Sequence, residues 1–250
     1  MLLEYRHVAH VRAIPVEFQI RYGHQFRRQR CFRFRRAGHV HTRHVFDRAR
    51  RVGRNTEIVV ATTSRAEDEP IVSFCATENV SVFRGSLDDV LKRAVDCADA
   101  FGFSAIARIC GDRPFFDPII VRELVDRVAG GGVDLATTMY PKSYPPGLTA
   151  EVVTTPALRE VQRLTDDRND QEHVTAYFYR NAESFRIWNA PPPAGLDVSG
   201  VSLVVDDERD LKRARFIAAR SGSDCALAPI SETIRLAKQC DGVFLSKPKT

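Results

Sequence analysis

Residues 106–118 read IARICGDRPFFDP, and few folds accommodate that order of residues. The apolar run Ile106-Ala107-Arg108-Ile109 has the length of a buried strand. Gly111 permits a tight turn, and Asp112 follows at once. Pro114 cannot donate to a ladder, so the strand ends before it. Asp117-Pro118 then reads as an N-cap followed by a proline in the first helical turn. Asp112 is therefore expected just past the C-terminal end of a strand and before a helix. In open α/β sheets that edge is where ligands bind. A carboxylate there suits Mg²⁺, which takes oxygen ligands and keeps waters and substrate phosphates in its shell. An aspartate that only caps a loop is the plainer alternative.

The same alternation runs along most of the chain. Strands are expected at 57–63 (EIVVATT), 80–83, 106–109, 133–139, 148–153, 185–188 and 201–205, from their apolar and β-branched runs. Helices are expected at 70–78, 86–100, 118–129, 156–164 and 207–219. Ser86 with Asp89 reads as a capping-box start, and Gly102 as a stop. Residues 130–132 (GGG) form a turn, and 140–147 (YPKSYPPG) a proline-rich loop. A polar loop at 166–170 leads into a helix carrying His173. Strands and helices at this spacing imply α/β architecture in three layers around a mostly parallel sheet. Asp206 repeats the placement of Asp112, at the end of a strand and before a helix. Helix capping alone would also explain Asp206-Asp207. Two carboxylates at one sheet edge can hold a cation against a nucleotide's phosphates.

The net charge of +5 is unevenly placed. Residues 1–45 hold 10 Arg, no Lys and 2 acidic residues, a net of +8, which leaves −3 for residues 46–250. A nucleic-acid-binding body would carry its basic charge across the fold, so such a partner is not expected of residues 46–250. The six cysteines form no C-x-x-C pair, so reduced thiols in the cytoplasm are expected, with neither disulfide framework nor zinc site. No run reaches the ~18 apolar residues of a membrane span. Residues 1–45 stand apart as an atypical Arg/His-rich segment preceding a single domain at 46–250. The segment carries 6 of the 7 histidines and interleaves Arg with Phe, as in FRRQRCFRFRR at 26–36. A nucleic-acid arm would use Arg for phosphates and aromatics for stacking. A frame-shifted stretch of GC-rich DNA would show the same patternless enrichment.

Six ordered motifs then resemble one family, the cytidylyltransferases that activate acidic sugars. The spore-coat-polysaccharide type is the nearest in pattern, with CMP-Kdo and acylneuraminate cytidylyltransferases more distant. EIVVATT resembles the family's second strand, and SVFRGSLDDVLKR (81–93) its V-x-R-G-x-x-x-D-V-L-x-R stretch. ARICGDRPFFDP resembles R-x-x-G-D-x-P-x-x-D-P, and YPPGLTAEV (144–152) resembles Y-P-x-G-L-D-x-E-V. DQEHVTAYFYRN (170–181) resembles R-E-H-V-T-x-Y-F, and VVDDERDL resembles V-D-x-x-x-D-L. The resemblance implies a nucleotide-diphospho-sugar transferase (Rossmann-like) fold and transfer of CMP from CTP to a sugar acid with release of pyrophosphate. It also implies Mg²⁺ on Asp112 and Asp206, with Arg108, Glu151 and His173 toward nucleotide or substrate, and leaves a homodimer open. Thr149 stands where the motif carries aspartate. Nothing in residues 1–45 matches the family's opening strand and its I-x-A-R-x-x-S-x-R-L-P-x-K nucleotide loop. A frame-shifted or otherwise corrupted version of that loop is therefore expected, and CTP turnover would be impaired. A non-catalytic sugar- or nucleotide-binding relative is the alternative, and a nucleic-acid-associated protein using the basic arm is a second.

Overall fold

A computed structural model describes residues 16–19, 38–53, 56–221 and 228–245. Most of the Arg/His-rich segment, and with it the stretch FRRQRCFRFRR, lies outside the described residues. In chain order the elements are β1 (Val16–Gln19), α1 (Gly38–Ala49), β2 (Val59–Thr63), α2 (Glu69–Glu78), β3 (Ser81–Gly85), α3 (Val90–Phe101), β4 (Ala105–Cys110) and α4 (Pro118–Ala129). They continue with β5 (Leu135–Thr137), β6 (Glu151–Thr154), α5 (Thr155–Leu164), α6 (Arg168–Glu172), α7 (Ala176–Arg180), β7 (Ile187–Asn189), α8 (Glu208–Arg220) and α9 (Ile230–Leu245).

The main sheet has the order β1-β4-β6-β5-β7, and β2 pairs with β3 in a second, two-stranded sheet. β1 runs beside β2, so the two sheets adjoin. Pairing is parallel in β1–β4, β2–β3 and β5–β7, whereas β6 is antiparallel to both of its neighbours. The sheet is thus mixed, with β6 as the exception to parallel order. Period-2 alternation explains the layers. On β4, Ala105, Ala107 and Ile109 face one core with Val45 and Phe46 of α1, Phe74 of α2 and Leu124 of α4. Ile106 faces the other core with Leu91 and Val95 of α3, Leu158 of α5 and Phe178 of α7. A third cluster joins Ala214 and Ile217 of α8 and Ile234 and Ala237 of α9 to Phe115, Tyr144, Leu148 and Leu203.

Local chemistry sets most boundaries as expected. The Asp117 carboxylate accepts from the Ile119 N–H at 2.8 Å, and Pro118 opens α4. Gly102, at φ 68°, closes α3. The start of α3 is a correction: it begins at Val90, not Ser86, because Asp89 is the N-cap and accepts from the Lys92 N–H at 2.7 Å. Ser86 instead accepts from the Asp89 N–H, shaping the turn before the helix. Gly85 is required there, since a Cβ would lie 2.7 Å from Cγ of Arg93. That approach lets Arg93 donate to the Ser86 carbonyl, which accounts for the R-G…R spacing.

The expected strand at 201–205 is a second correction: these residues are extended but belong to no strand. Their backbone bonds go singly, from Leu203 N–H to the Pro146 carbonyl and from Val205 N–H to the Asp112 carbonyl, both at 2.8 Å. The surface they cross is a proline turn and a loop, neither of which offers a ladder, and Pro146 has no N–H to return.

Gly147 makes that crossing possible. It sits at φ +91°, and a Cβ there would lie 2.4 Å from the Leu203 carbonyl carbon and 2.7 Å from its oxygen. Both neighbours are backbone and cannot swing aside. Gly147→Ala is expected to destabilise by roughly 1–3 kcal/mol or more through strain and overpacking, and to displace residues 203–206. Urea unfolding checks this; a midpoint within error of the unsubstituted protein would contradict it.

Candidate active site

Asp112 leaves the C-terminal end of β4 with Gly111, and Asp206 arrives on the extended segment before α8. The Val205 N–H bond to the Asp112 carbonyl ties the two together. Burial raises the pKa of Asp206 first, and the charges of Asp112, Asp210 and Asp207 add to it, against a lowering by Arg113. The two carboxylates are thus close enough to repel. Oδ1 of Asp112 is buried and has no hydrogen-bond partner. A buried carboxylate oxygen without a donor is costly, and the negative charge of Asp206 nearby adds to the cost. A divalent cation would relieve both, so these residues fit Mg²⁺. Among the described residues no group of three or more His, Cys, Asp or Glu side chains is gathered to hold a metal. Two carboxylates completed by phosphate oxygens and waters are what Mg²⁺ ordinarily accepts.

Arg108 and Glu151 occupy paired positions on β4 and β6 and are committed to each other. Arg108 Nη1 donates to Glu151 Oε2 at 3.0 Å, and the two side chains are 8% and 4% exposed. Glu151 Oε1 accepts from Thr175 Oγ1 at 2.6 Å and from Tyr179 OH at 2.5 Å. The Tyr179 proton being used there, the Thr137 hydroxyl donates to Tyr179 at 2.8 Å while accepting from the Met139 N–H. Burial pushes the Glu151 carboxyl up, but Arg108, Thr175 and Tyr179 together outweigh it and leave its pKa below the ordinary value. Tyr179 is pushed well above the phenol range, by burial first and then by Glu151. Glu151 and Arg108, expected toward substrate and phosphate, are both buried and paired with each other.

His173 is not within a helix as expected. It is the C-cap of α6, with its N–H bonded to the Asn169 carbonyl, and half-buried. It sits two residues before Thr175, which reaches Glu151. The structure therefore joins Arg108 and Glu151 directly, brings Asp206 beside Asp112 through the bond from the Val205 N–H to the Asp112 carbonyl, and relates His173 to the first pair through the turn between α6 and α7.

Sequence reasoning missed Arg113. Its Nη1 donates to the Thr149 carbonyl at 3.0 Å and to Thr149 Oγ1 at 2.7 Å. Its Nε lies 3.9 Å from Asp112 Oδ1, and its charge acts on both Asp206 and Glu151. It thus connects the carboxylate pair with the buried network. The one signal was its place directly after Asp112.

The arrangement of strands is that of solved nucleotidyltransferases. A solved cytidylyltransferase from Leptospira borgpetersenii serovar Hardjo-bovis superposes with a TM-score of 0.72 at 23% identity, over 83% of this chain and 87% of that one. CMP:2-keto-3-deoxy-manno-octonic acid synthetase, solved in complex with CTP, superposes with a TM-score of 0.57 at 15% identity, over 84% and 99%. Both show the nucleotide-diphospho-sugar transferase fold. The family itself is shown by sequence: the cytidylyltransferase family profile matches residues 41–239, and the chain belongs to that family. An uncharacterized protein of Methanocaldococcus jannaschii, MJ1063, is 32% identical over 67% of this chain and 68% of its own length. The spore coat polysaccharide biosynthesis protein SpsF of Bacillus subtilis is 28% identical over 66% and 68%. The described cysteines Cys75, Cys97, Cys110 and Cys240 are buried, and Cys75, Cys110 and Cys240 are free thiols. No helix among the described residues is long and apolar enough to cross a membrane.

Proposed function

We propose that this chain transfers CMP from CTP to an acidic sugar, releasing pyrophosphate, in the synthesis of a surface polysaccharide. The observation that carries the proposal is the convergence of Asp112, with its unpartnered buried oxygen, and Asp206 at the sheet edge of a cytidylyltransferase. The likeness to a spore coat polysaccharide biosynthesis protein and to a CMP-sugar-acid synthetase supports the choice of acceptor. The sugar's anomeric hydroxyl oxygen would bond to the α-phosphorus as the α–β phosphoanhydride breaks, so that pyrophosphate leaves and the hydroxyl proton is given up. Asp112 and Asp206 would hold Mg²⁺, which when bound neutralises phosphate charge. The Arg108–Glu151–Tyr179 network keeps the strand ends in place, so that the carboxylates are pre-set rather than reorganised at each turnover.

The test is pyrophosphate release from each of the four nucleoside triphosphates with a panel of 3-deoxy-2-keto sugar acids. Release with CTP, abolished by a chelator, is the expected result. No release from any pair would sink the enzyme proposal for this chain.

We further propose that residues 1–45 are a frame-shifted or corrupted counterpart of the family's nucleotide loop, with impaired CTP turnover as the consequence. Support comes from the family match starting at residue 41 and from the absence of lysine in this segment. The four-residue β1 stands beside β4, in the place of a first strand. Resequencing the gene start and translating all three frames decides it. A verified frame together with vigorous CTP turnover would overturn it.

A further inference from the structure

The described arginines nearest the site differ in what holds them. Arg108 is held by Glu151, and Arg213 by Asp210 at 3.1 Å and Asp241 at 2.9 Å. Arg113 is the exception, because both of its hydrogen bonds go to uncharged oxygens of Thr149. Its Nε is buried without a hydrogen-bond partner. The carboxylate nearest to it, Asp112, is 3.9 Å away, and a metal on Asp112 and Asp206 would claim that charge. An aspartate at 149, as the resembling motif carries, would neutralise Arg113; threonine orients the guanidinium and leaves its charge available.

The place of that charge narrows what it can bind. In a 2-keto sugar acid the anomeric carbon carries both the attacking hydroxyl and the carboxylate. When the hydroxyl faces the α-phosphate beside Asp112, the carboxylate is held within two bonds of the reacting oxygen. A cation that recognises it must therefore stand next to the metal-binding carboxylates, where Arg113 is. A sugar whose anionic group lies at its far end could not reach Arg113 in the same pose. We propose, on the acidic-sugar reading above, that Arg113, oriented by Thr149, is the residue that recognises this carboxylate and selects 2-keto sugar acids over uncharged acceptors.

The experiment compares three acceptors: a 3-deoxy-2-keto sugar acid, its primary amide, and a hexose 6-phosphate. Pyrophosphate release with CTP is measured alongside calorimetric binding of each acceptor to the full chain. The unsubstituted protein is expected to favour the acid over the amide by about tenfold or more, the scale of a hydrogen bond to a charged group. Arg113→Met should erase that preference, raising KM for the acid by about tenfold while KM for CTP stays close to its starting value. Arg113→Lys should restore part of it, and Thr149→Asp should weaken it by neutralising the guanidinium.

Equal use of acid and amide, preference for the 6-phosphate, or an Arg113→Met effect confined to KM for CTP would each overturn the inference. If no acceptor yields pyrophosphate, the proposed activity fails, and binding alone then decides: acid binding lost in Arg113→Met supports the inference. Equal binding by the two proteins, or none by either, overturns it. Thermal melts accompany each variant. Should Arg113→Met fail to fold, an acid preference unchanged in Thr149→Asp overturns the inference, and a weakened one supports it.

Discussion

Asp112→Asn and Asp206→Asn are each expected to lower metal-dependent pyrophosphate release by roughly 10²-fold or more, the scale seen when one fixed electrostatic contact to the transition state is lost. The folds should survive. No side-chain hydrogen bond is formed by Asp206 among the described residues, and the tie between the two segments uses the backbone carbonyl of Asp112. Asp206→Asn is further expected to melt at the same or a higher temperature at neutral pH. The sign follows from its raised pKa. A carboxyl whose folded pKa lies above the unfolded value destabilises the fold at pH above both, and the penalty fades as pH falls through them. Asparagine removes it. Mg²⁺ should raise the melting temperature of the unsubstituted protein by preferential binding to the native state, and should do little for either variant. Differential scanning calorimetry with and without Mg²⁺ reads this without any turnover. A variant with near-normal activity at limiting Mg²⁺, or one that still gains the full thermal shift, removes that residue from the site.

Glu151→Ala carries the largest expected effect on stability, about 3–5 kcal/mol, because it strands the buried Arg108 charge and takes the acceptor from Thr175 and Tyr179. Glu151→Gln should be milder, since an amide oxygen still accepts from both hydroxyls while the charge is lost. The pH dependence separates the two effects. Glu151 has a folded pKa below its ordinary 4.5, so its contribution is fully present above about 4.5 and is lost as pH falls through the lowered folded value. Glu151→Gln should therefore flatten the acid limb of the stability profile in that window. Chemical denaturation from pH 7 to pH 3 checks it; an unchanged acid limb would show that another carboxylate controls acid unfolding.

Asp112 and Asp206 were legible as candidates because each follows a run of apolar residues and precedes a helix start, and those signals lie within a few residues. Asp117 as N-cap and Gly102 as stop were legible for the same reason. The start of α3 was misread because Ser86 and Asp89 are both good caps, and only the accepted Lys92 N–H shows which one opens the helix. The helix α9 went unassigned although Ile234, Ala237 and Cys240 recur at helical spacing and are buried. Its packing partners on α8 and at Leu148 and Leu203 are too distant in the chain to show in a local pattern.

By itself the sequence determined the class of fold, the layering of helices on a sheet, and the family. All of these rest on local periodicity, turn chemistry, or residues in fixed short motifs. Only the tertiary structure decided that β6 runs antiparallel, that residues 201–206 cross the Gly147 turn outside any strand, and that Arg108 is held by Glu151. It likewise decided that Arg113 rests on Thr149, 36 residues away. Strand direction and side-chain partnership depend on which segments meet after the chain has folded back. A charged side chain reads the same in sequence whether it meets a carboxylate, a threonine or water.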